Sequence, residues 1–384
     1  MTLRQPSSTP AHRDPALDGL RGIAVLMVFL FHYGGGLKSH NLAVRLLGYI
    51  TAAGWTGVVV FFTLSGFLIT GSLWDSRGNP HWMRNFYARR FLRIFPLYYT
   101  ALALSAIVLF LTWHNLHQLQ QLSIYALFLQ NIPGLVSSAQ SIPSPLPLYH
   151  LWSMAVEEQF YLLWPCLLLM VPNRRSAFQL CAWVCVISAA FRATLFSLPQ
   201  IPLQITYSFQ DFLLTHAGEF ALGACLALAW RDPERKPSAR FAKPILLAGL
   251  AIYILSSLIS HGFSWDSNLQ YALGLTGASL AAVALLVLAL HPGLVRRVCS
   301  SSALQFMGRI SYGFYIFHIL FQGFFDAISR HIVHTSTGSS YQAVRLFVAF
   351  VLTLLISWLS FHLLETPFLR LKRHFPMKPP IEVE

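Results

Sequence analysis

An arginine and a histidine share an otherwise apolar run near the start of the sequence. Arg21 precedes the stretch AVLMVFLFHYGGG, and His32 stands within it. Eleven residues are about three helical turns, so the two side chains lie within roughly 20° of one face and about 16 Å apart along the axis. Ionisable groups in a bilayer are costly and mark functional sites by default. Arg21 as a snorkelling anchor and His32 as a packed histidine are the alternatives, but the shared face favours a lined path.

Two adjacent carboxylates lie in a second apolar run, YHLWSMAVEEQFYLLWP. Helical spacing places Glu157 and Glu158 close to Tyr161. Two neighbouring carboxylates cannot both be buried and ionised cheaply, so we expect one of them to face the bundle interior. Glu157 is predicted to lie at a depth comparable with His32 and to orient or polarise a histidine. The alternative is an interhelical ion pair, for instance with Arg192.

Three arginines cluster within one turn of the stretch NFYARRFLRIFPLYY, namely Arg89, Arg90 and Arg93. We expect this stretch to form a loop helix at the inner membrane surface. Clustered arginines suit phosphate groups, which they bind with two parallel hydrogen bonds. The alternative is an interfacial basic helix that touches anionic lipid.

The composition indicates a membrane protein. Of the 384 residues, 55% are hydrophobic and 11% are charged, and the mean hydropathy is +0.56. Soluble domains carry about 25% charged residues. The formal net charge of +13 comes from basic residues in short loops, which indicates membrane topology rather than nucleic-acid binding. No H-E-x-x-H pair occurs, and Cys181 and Cys185 share a helix face without a second pair of ligands, so we expect no metal.

The hydropathy pattern predicts an all-α polytopic bundle of about ten transmembrane helices. The expected spans are 17–34, 54–73, 95–113, 149–171, 178–198, 209–230, 244–261, 270–290, 304–328 and 344–366. The apolar stretch 122–132 is too short and is predicted to be a re-entrant or surface helix. With both termini in the cytoplasm, inner segments hold twenty basic residues and outer segments only Lys38, Arg45, Arg330 and Arg345, as the positive-inside rule requires.

Five motifs in order resemble those of the membrane acyltransferase-3 family. They are LDGLRGIAVLMVFLFH, GVVVFFTLSGFLIT, YARRFLRIFPLYY, LWSMAVEEQFYLLWP and GRISYGFYIFH. The likeness covers about residues 16–370. It divides the chain into a cytoplasmic tail at 1–16, a transmembrane acyltransferase domain at 17–370 and a second cytoplasmic tail at 371–384. Some relatives carry a soluble esterase-like domain after an extra span, and we expect none here.

The resemblance implies an integral-membrane O-acyltransferase of the bacterial inner membrane. Such an enzyme moves an acyl group, usually acetyl, from cytoplasmic acyl-CoA to a hydroxyl of a cell-envelope glycan or another glycosylated acceptor. The expected partners are therefore acyl-CoA, that acceptor and membrane lipid. Carried over from the family motifs, the functional residues are Arg21, His32, Arg89, Arg90 and Glu157.

The residues and the resemblance combine into one hypothesis. The inner arginines, Arg93 among them, would hold the phosphates of coenzyme A, and its arm would run beside the first helix. His32 would act as base or acyl carrier, with Glu157 fixing its tautomer or stabilising its imidazolium. Further residues expected to line the site are Ser65, Tyr161 and His318. The competing predictions are a transporter of a sugar, a lipid-linked intermediate or protons, and a non-catalytic protein that binds lipid-linked glycan.

Overall fold

The computed structural model describes residues 14–34, 42–113, 116–135, 146–198, 200–264 and 267–377. Most of the two predicted tails lies outside this part of the chain. So do four of the basic residues used for the orientation, namely Arg4, Arg13, Lys38 and Lys378.

The described residues form helices and no strands. The first eight helices are α1 (Pro15–Gly34), α2 (Leu42–Ala52), α3 (Thr56–Asp75), α4 (Trp82–Trp113), α5 (Leu116–Ala126), α6 (Trp152–Leu169), α7 (Arg174–Ser197) and α8 (Leu203–Phe209). The remaining eight are α9 (Leu213–Trp230), α10 (Ala239–Ile259), α11 (Leu275–Leu290), α12 (Leu294–Cys299), α13 (Ser302–Leu320), α14 (Gln322–Val333), α15 (Gly338–Ser360) and α16 (Thr366–Arg370). The predicted all-α fold is therefore confirmed.

Eight helical segments in the described part of the chain are long and apolar enough to cross a membrane. They coincide with eight of the ten expected spans. At the other two positions, α6 and α13 have 18 and 19 residues but a more polar composition, because they carry the glutamates and the histidine of the predicted site. The chain is a multi-pass membrane protein, and the orientation of its termini stays a prediction.

The extents of several expected elements differ in the structure. The predicted loop helix and the span at 95–113 form one continuous helix, α4, which runs for 32 residues through Pro96. The expected span 304–328 is divided at Phe321 into α13 and α14. Apolar periodicity could not detect this break because α14 presents an apolar face of its own. The predicted short helix at 122–132 is helical only over residues 122–126, the last part of the 11-residue α5, and its remaining residues form turns.

A close approach between α1 and α13 sets the register of these two helices. A methyl group added at Gly308 would lie 1.8 Å from the backbone carbonyl oxygen of Asp18, so only glycine fits there. Further along, the hydroxyl of Tyr33 donates to the carbonyl of His318 at 2.5 Å. The helices therefore run in the same direction, and this pairing brings His32 level with His318.

A second close approach fixes α3 against α9. A methyl group at Gly66 would lie 2.0 Å from the carbonyl oxygen of Phe220. The ring of Phe220 stacks on Phe62 of α3 and Phe160 of α6, with ring centroids 4.6 and 4.3 Å apart. These contacts hold three helices together and turn Ser65, next to Gly66, towards α6.

Candidate functional site

The candidate site begins at one end of the bundle, where the two described ends of the chain meet. A vestibule of about 870 Å³ opens there. Its lining contains six cationic residues and three carboxylates, namely Arg21, Arg89, Arg90, Arg93, Arg231 and Lys372, with Asp14, Asp18 and Asp75. The excess of cations makes the vestibule suitable for an anionic ligand.

Some of these arginines already bind groups of the protein itself. Arg231 makes a two-pronged ion pair with Asp75, with both N–O distances 2.6 Å. Arg89 donates to the carbonyls of Lys372 and Phe375 at 3.0 and 3.2 Å. It therefore anchors the C-terminal segment against α4 rather than projecting freely.

Arg90 and Arg93 are different. Among the described residues, no carboxylate lies within ion-pair distance of either guanidinium, whereas Arg21 lies 3.3 Å from Asp18. Arg90 instead lies over the ring of Tyr161, 5.0 Å from its centroid. Arg90 and Arg93 are therefore the arginines best placed to bind an anion in the vestibule.

A narrower cavity of about 80 Å³ continues from the vestibule into the bundle. The two spaces share four lining residues, namely Arg21, Leu68, Arg90 and Arg93. The polar residues that line only the inner cavity are Ser65, Ser153, Glu157, Tyr161, Ser311, Tyr312 and Tyr315. One path therefore leads from the basic mouth to a group of hydroxyls and one carboxylate.

Glu157 is the centre of the inner cavity. Its carboxylate accepts hydrogen bonds from the hydroxyls of Ser65 and Tyr161, and those two hydroxyl oxygens are 3.2 Å apart. Arg90 interacts electrostatically with this carboxylate and with that of Glu158. The sequence-predicted residues Ser65, Arg90, Glu157 and Tyr161 thus meet in one hydrogen-bonded group.

Glu157 does not lie level with His32, contrary to our expectation. The residue of that chain segment at the level of His32 is His150, whose ring centroid is 5.4 Å from that of His318. Glu157 follows His150 by seven residues, about 10 Å along a helix. Among the described residues, the hydrogen-bond contacts of the His32 ring are with Val28 and His318, so Glu157 is not the group that fixes its orientation.

The predicted alternative for the glutamates is also not observed. Arg192 of α7 lies 3.6 Å from Glu219 of α9, and the same carboxylate oxygen lies 3.3 Å from the hydroxyl of Ser279 on α11. Arg192 therefore serves a separate interhelical contact, away from Glu157 and Glu158.

Three histidines form a second group beyond the inner cavity. The ring centroid of His318 lies 5.0 Å from His32 and 5.4 Å from His150. His150 and His318 are buried, while His32 is half-buried. Within the described ranges, no three histidine, cysteine or acidic side chains are placed to hold a metal ion. The rings are therefore interpreted as a hydrogen-bonding group.

Hydrogen bonds define the neutral tautomers of these rings. A carbonyl only accepts, so a ring nitrogen beside a carbonyl carries the proton. Nδ1 of His32 is 2.9 Å from the carbonyl of Val28, and Nδ1 of His318 is 2.6 Å from that of Tyr315. Nε2 of His318 then offers its lone pair towards Nδ1 of His32 at 3.3 Å. The lone pair of His32 is left on Nε2, the nitrogen that would act as a base.

Two hydroxyls separate the inner cavity from the histidines. The hydroxyl of Tyr315 donates to the carbonyl of His150 at 2.9 Å and lies 2.5 Å from the hydroxyl of Ser153. Both side chains line the cavity, whereas His32 does not. The described structure thus has a closed junction between the Glu157 group and the histidines.

Sequence reasoning missed three residues of this arrangement, namely His150, Ser153 and Tyr315. Signals for them were present. His150 and Ser153 stand in the same stretch as Glu157, and Tyr315 stands one helical turn before His318 in GRISYGFYIFH. Each polar residue in an apolar helix was a candidate for the bundle interior.

Comparison with known proteins agrees with the family resemblance found in the sequence motifs. The acyltransferase domain family matches residues 14–362, most of the chain. The chain belongs to this acyltransferase family. The resemblance drawn from the five motifs is therefore confirmed. No solved structure gives a significant match.

Three curated relatives illustrate the likeness. The chain is 28% identical over 368 residues to the peptidoglycan O-acetyltransferase OatA of Listeria monocytogenes, which is 92% of this chain and 55% of that protein. It is 28% identical over 376 residues to the putative peptidoglycan O-acetyltransferase YrhL of Bacillus subtilis, covering 94% and 55%. A putative O-acetyltransferase of Staphylococcus aureus is 28% identical over 370 residues, covering 92% and 57%. The chain spans just over half the length of these relatives.

Proposed function

We propose that this acyltransferase moves an acyl group, acetyl in the first instance, from acyl-CoA to a hydroxyl of a cell-envelope glycan. The observation that carries the proposal is the path from a basic vestibule, through the cavity at Glu157, to the closed junction before His32. The relatives named for peptidoglycan O-acetylation make a peptidoglycan sugar the first acceptor to test. The acyltransferase unit is residues 17–370, in a bacterial inner membrane with both termini cytoplasmic.

The donor end of the path is the vestibule. Arginines bind phosphate oxygens with two parallel hydrogen bonds, and no carboxylate of the described residues lies within ion-pair distance of Arg90 or Arg93. The long arm of coenzyme A would pass these arginines and enter the inner cavity beside α1. Arg21 lines both spaces and therefore stands where the arm would cross from one to the other.

The chemical step needs one proton to move twice. Nε2 of His32 takes the proton of the acceptor hydroxyl while the hydroxyl oxygen attacks the thioester carbonyl. The carbon–sulfur bond breaks, and the thiolate of coenzyme A receives that proton. His318 holds Nδ1 of His32 and so keeps the Nε2 lone pair available. In the variant route, Nε2 first carries the acyl group itself.

The junction between the cavity and His32 must open for this step. The Ser153–Tyr315 hydroxyl pair closes the cavity at the end nearest the histidines. Separation of this pair would admit the thioester, while Glu157 would retain its role as acceptor for Ser65 and Tyr161. Glu157 is therefore proposed to shape the donor cavity rather than to orient His32.

A labelled donor tests the proposal. Purified protein receives radiolabelled acetyl-CoA together with peptidoglycan glycan strands stripped of O-acetyl groups. The wild type should move label to the strands or to water, and His32→Ala should reduce this turnover by at least about 100-fold, the usual loss on removing a general base. His331, an exposed histidine of α14, provides the matched control His331→Ala.

The outcomes separate the competing functions. Near-normal turnover in His32→Ala would contradict the assignment of the base. A wild type that neither hydrolyses the donor nor transfers the label would favour the transporter or the non-catalytic glycan-binding protein. Release of label to water alone would support the donor site and shift attention to a different glycan acceptor.

A further inference from the structure

A polar patch lies just beyond the histidines, at the end of the bundle opposite the vestibule. It comprises Tyr149, Gln322, Asp326 and Arg345, and it lies beside the ring of Tyr33. Its four residues come from three separate parts of the chain, namely the segment just before α6, helix α14 and helix α15. None of them lines the vestibule or the inner cavity.

The charged half of the patch is an ion pair that is partly exposed to solvent. Nε of Arg345 donates to Oδ1 of Asp326 at 2.5 Å, and the side chains are 17% and 24% exposed. The guanidinium also lies over the ring of Tyr33, 4.7 Å from its centroid. This bond uses one nitrogen of Arg345 and one oxygen of Asp326, so the terminal nitrogens and Oδ2 make no ion pair with another described residue.

The uncharged half offers a ring and an amide. Tyr149 is 41% exposed, and its hydroxyl donates to the amide oxygen of Gln322 at 3.3 Å. An exposed tyrosine in an apolar protein gives a flat surface with a polar edge. The amide of Gln322 adds both a donor and an acceptor.

The patch is tied to the histidines through the chain. Tyr33 directly follows His32, and its hydroxyl donates to the carbonyl of His318 at 2.5 Å. Tyr149 directly precedes His150. A ligand that rests on Tyr149 and Arg345 would therefore reach towards the histidine group from the side that the donor path does not use.

The charge balance of the patch differs from that of the vestibule. Asp326 neutralises Arg345, so the patch suits a neutral ligand with many hydroxyls rather than a phosphate. Paired charged and amide side chains beside an exposed aromatic ring can donate to and accept from hydroxyls while a ring face covers the apolar side of a sugar. A simple brace between α14 and α15 would account for the ion pair alone, but not for the exposed Tyr149 and the half-buried Gln322 beside it.

We propose that this patch binds a sugar ring of the acceptor glycan and presents its hydroxyl to His32. The inference rests on the proposed function. It adds the place where the acceptor binds and the chemical class of the ligand, a neutral hydroxyl-rich sugar. Donor and acceptor then approach the histidines from opposite ends of the bundle.

The test separates acceptor affinity from donor affinity. The probe is the envelope glycan fraction of a strain deleted for the gene, which lacks the acetyl groups the enzyme would add. Purified full-length protein in liposomes transfers label from acetyl-CoA to this fraction, and the apparent KM is measured for each substrate in turn. Tyr149→Ala and the charge-removing pair Asp326→Asn/Arg345→Gln should each raise the glycan KM about tenfold, the loss of one or two good hydrogen bonds or stacking contacts. The acetyl-CoA KM should stay within about twofold, because the donor path is untouched.

Two further variants distinguish binding from bracing. Tyr149→Phe keeps the ring and should stay within about threefold of wild type, since only a weak hydroxyl contact is lost. Arg330 is an exposed arginine on α14, the helix that carries Asp326. The variant Arg330→Gln is the matched control and should change neither KM value. Unchanged glycan KM in Tyr149→Ala and in the pair would overturn the inference, as would equal changes in both KM values. A wild type that transfers no label to the fraction would instead overturn the proposed function.

Discussion

The vestibule and the interface between α7 and α9 hold their arginines in opposite ways. In the vestibule, Arg90 and Arg93 are half-buried and line the cavity, with no carboxylate of the described chain at ion-pair distance. Between the helices, the side chain of Arg192 is 4% exposed and pairs with Glu219, which is fully buried. A buried charge must be paired because desolvation is costly. A cation that borders a cavity can lack a carboxylate partner and bind a ligand there. Whether an arginine has a buried carboxylate partner therefore indicates whether it serves the fold or a ligand.

Breaking the interior pair should give the largest effect. Arg192→Leu leaves the carboxylate of Glu219 buried without its cation, which should lower the free energy of unfolding by about 3–5 kcal/mol. The change is measured by thermal unfolding in detergent, with the loss of monodisperse protein as the readout.

A double variant controls this experiment. Arg192→Leu/Glu219→Leu removes both charges, and replacing a buried pair by apolar residues is often neutral. It should therefore recover most of the lost stability. A single variant as stable as wild type would mean that water or another group already compensates Glu219, and the contrast with the vestibule would fail.

A packing variant that changes no charge provides a second test of how contacts between helices position the site. In Gly308→Ala, the new methyl would meet the carbonyl oxygen of Asp18 and push α1 away from α13, at a cost of about 1–3 kcal/mol. Acetyl transfer should fall as well, because His32 and His318 sit on these two helices.

Gly262→Ala is the matched control, since no atom lies within 4 Å of a methyl group there. It should leave both unfolding temperature and transfer near wild type. If Gly308→Ala behaved in the same way, the register of α1 and α13 would not depend on this contact.

These contacts explain which parts of the site the sequence could predict. Helical spacing correctly placed Arg21 and His32 on α1, with Arg21 lining the path and His32 near its far end. It also brought Glu157 next to Tyr161. Periodicity within one helix is sufficient for such statements, because 3.6 residues per turn fixes face and depth along that helix.

Relations between helices were beyond the sequence. The depth predicted for Glu157 was wrong because sliding α6 by two turns against α1 leaves both hydrophobic patterns intact. For the same reason, the sequence could indicate that Arg192 forms an ion pair but could not select Glu219 as its partner. Backbone contacts at single glycines such as Gly66 and Gly308 decide this sliding, and a glycine in an apolar run carries no sign of the carbonyl it will meet.

Removing a vestibule arginine should affect the donor and not the fold. Arg93→Gln loses a charge-assisted bond to phosphate, so the KM for acetyl-CoA should rise about tenfold, and stability should change little because no ion pair is broken. The rise should shrink at high salt, where exposed charges are screened. Kinetic assays at two salt concentrations measure both effects.

Arg84→Gln controls for net charge, because Arg84 is exposed on the same helix and outside the vestibule. It should leave the KM for acetyl-CoA unchanged. A loss of stability in Arg93→Gln as large as that in Arg192→Leu would contradict the assignment of Arg93 to a ligand rather than to the fold.

The smallest effect is expected where the two arrangements meet. Arg231 lines the vestibule but is paired with Asp75, and their side chains are 26% and 46% exposed. An exposed pair contributes roughly 0–1 kcal/mol, so Asp75→Asn should change stability far less than Arg192→Leu. Released from its partner, Arg231 should strengthen acetyl-CoA binding about twofold at low salt, a gain that screening removes at high salt.

Asp232→Asn is the control, because it removes the same charge from an ion pair with Arg174 outside the vestibule. If both variants tightened binding equally, net charge alone would attract the donor. If only Asp75→Asn did so, the vestibule itself would be the place where the phosphates bind.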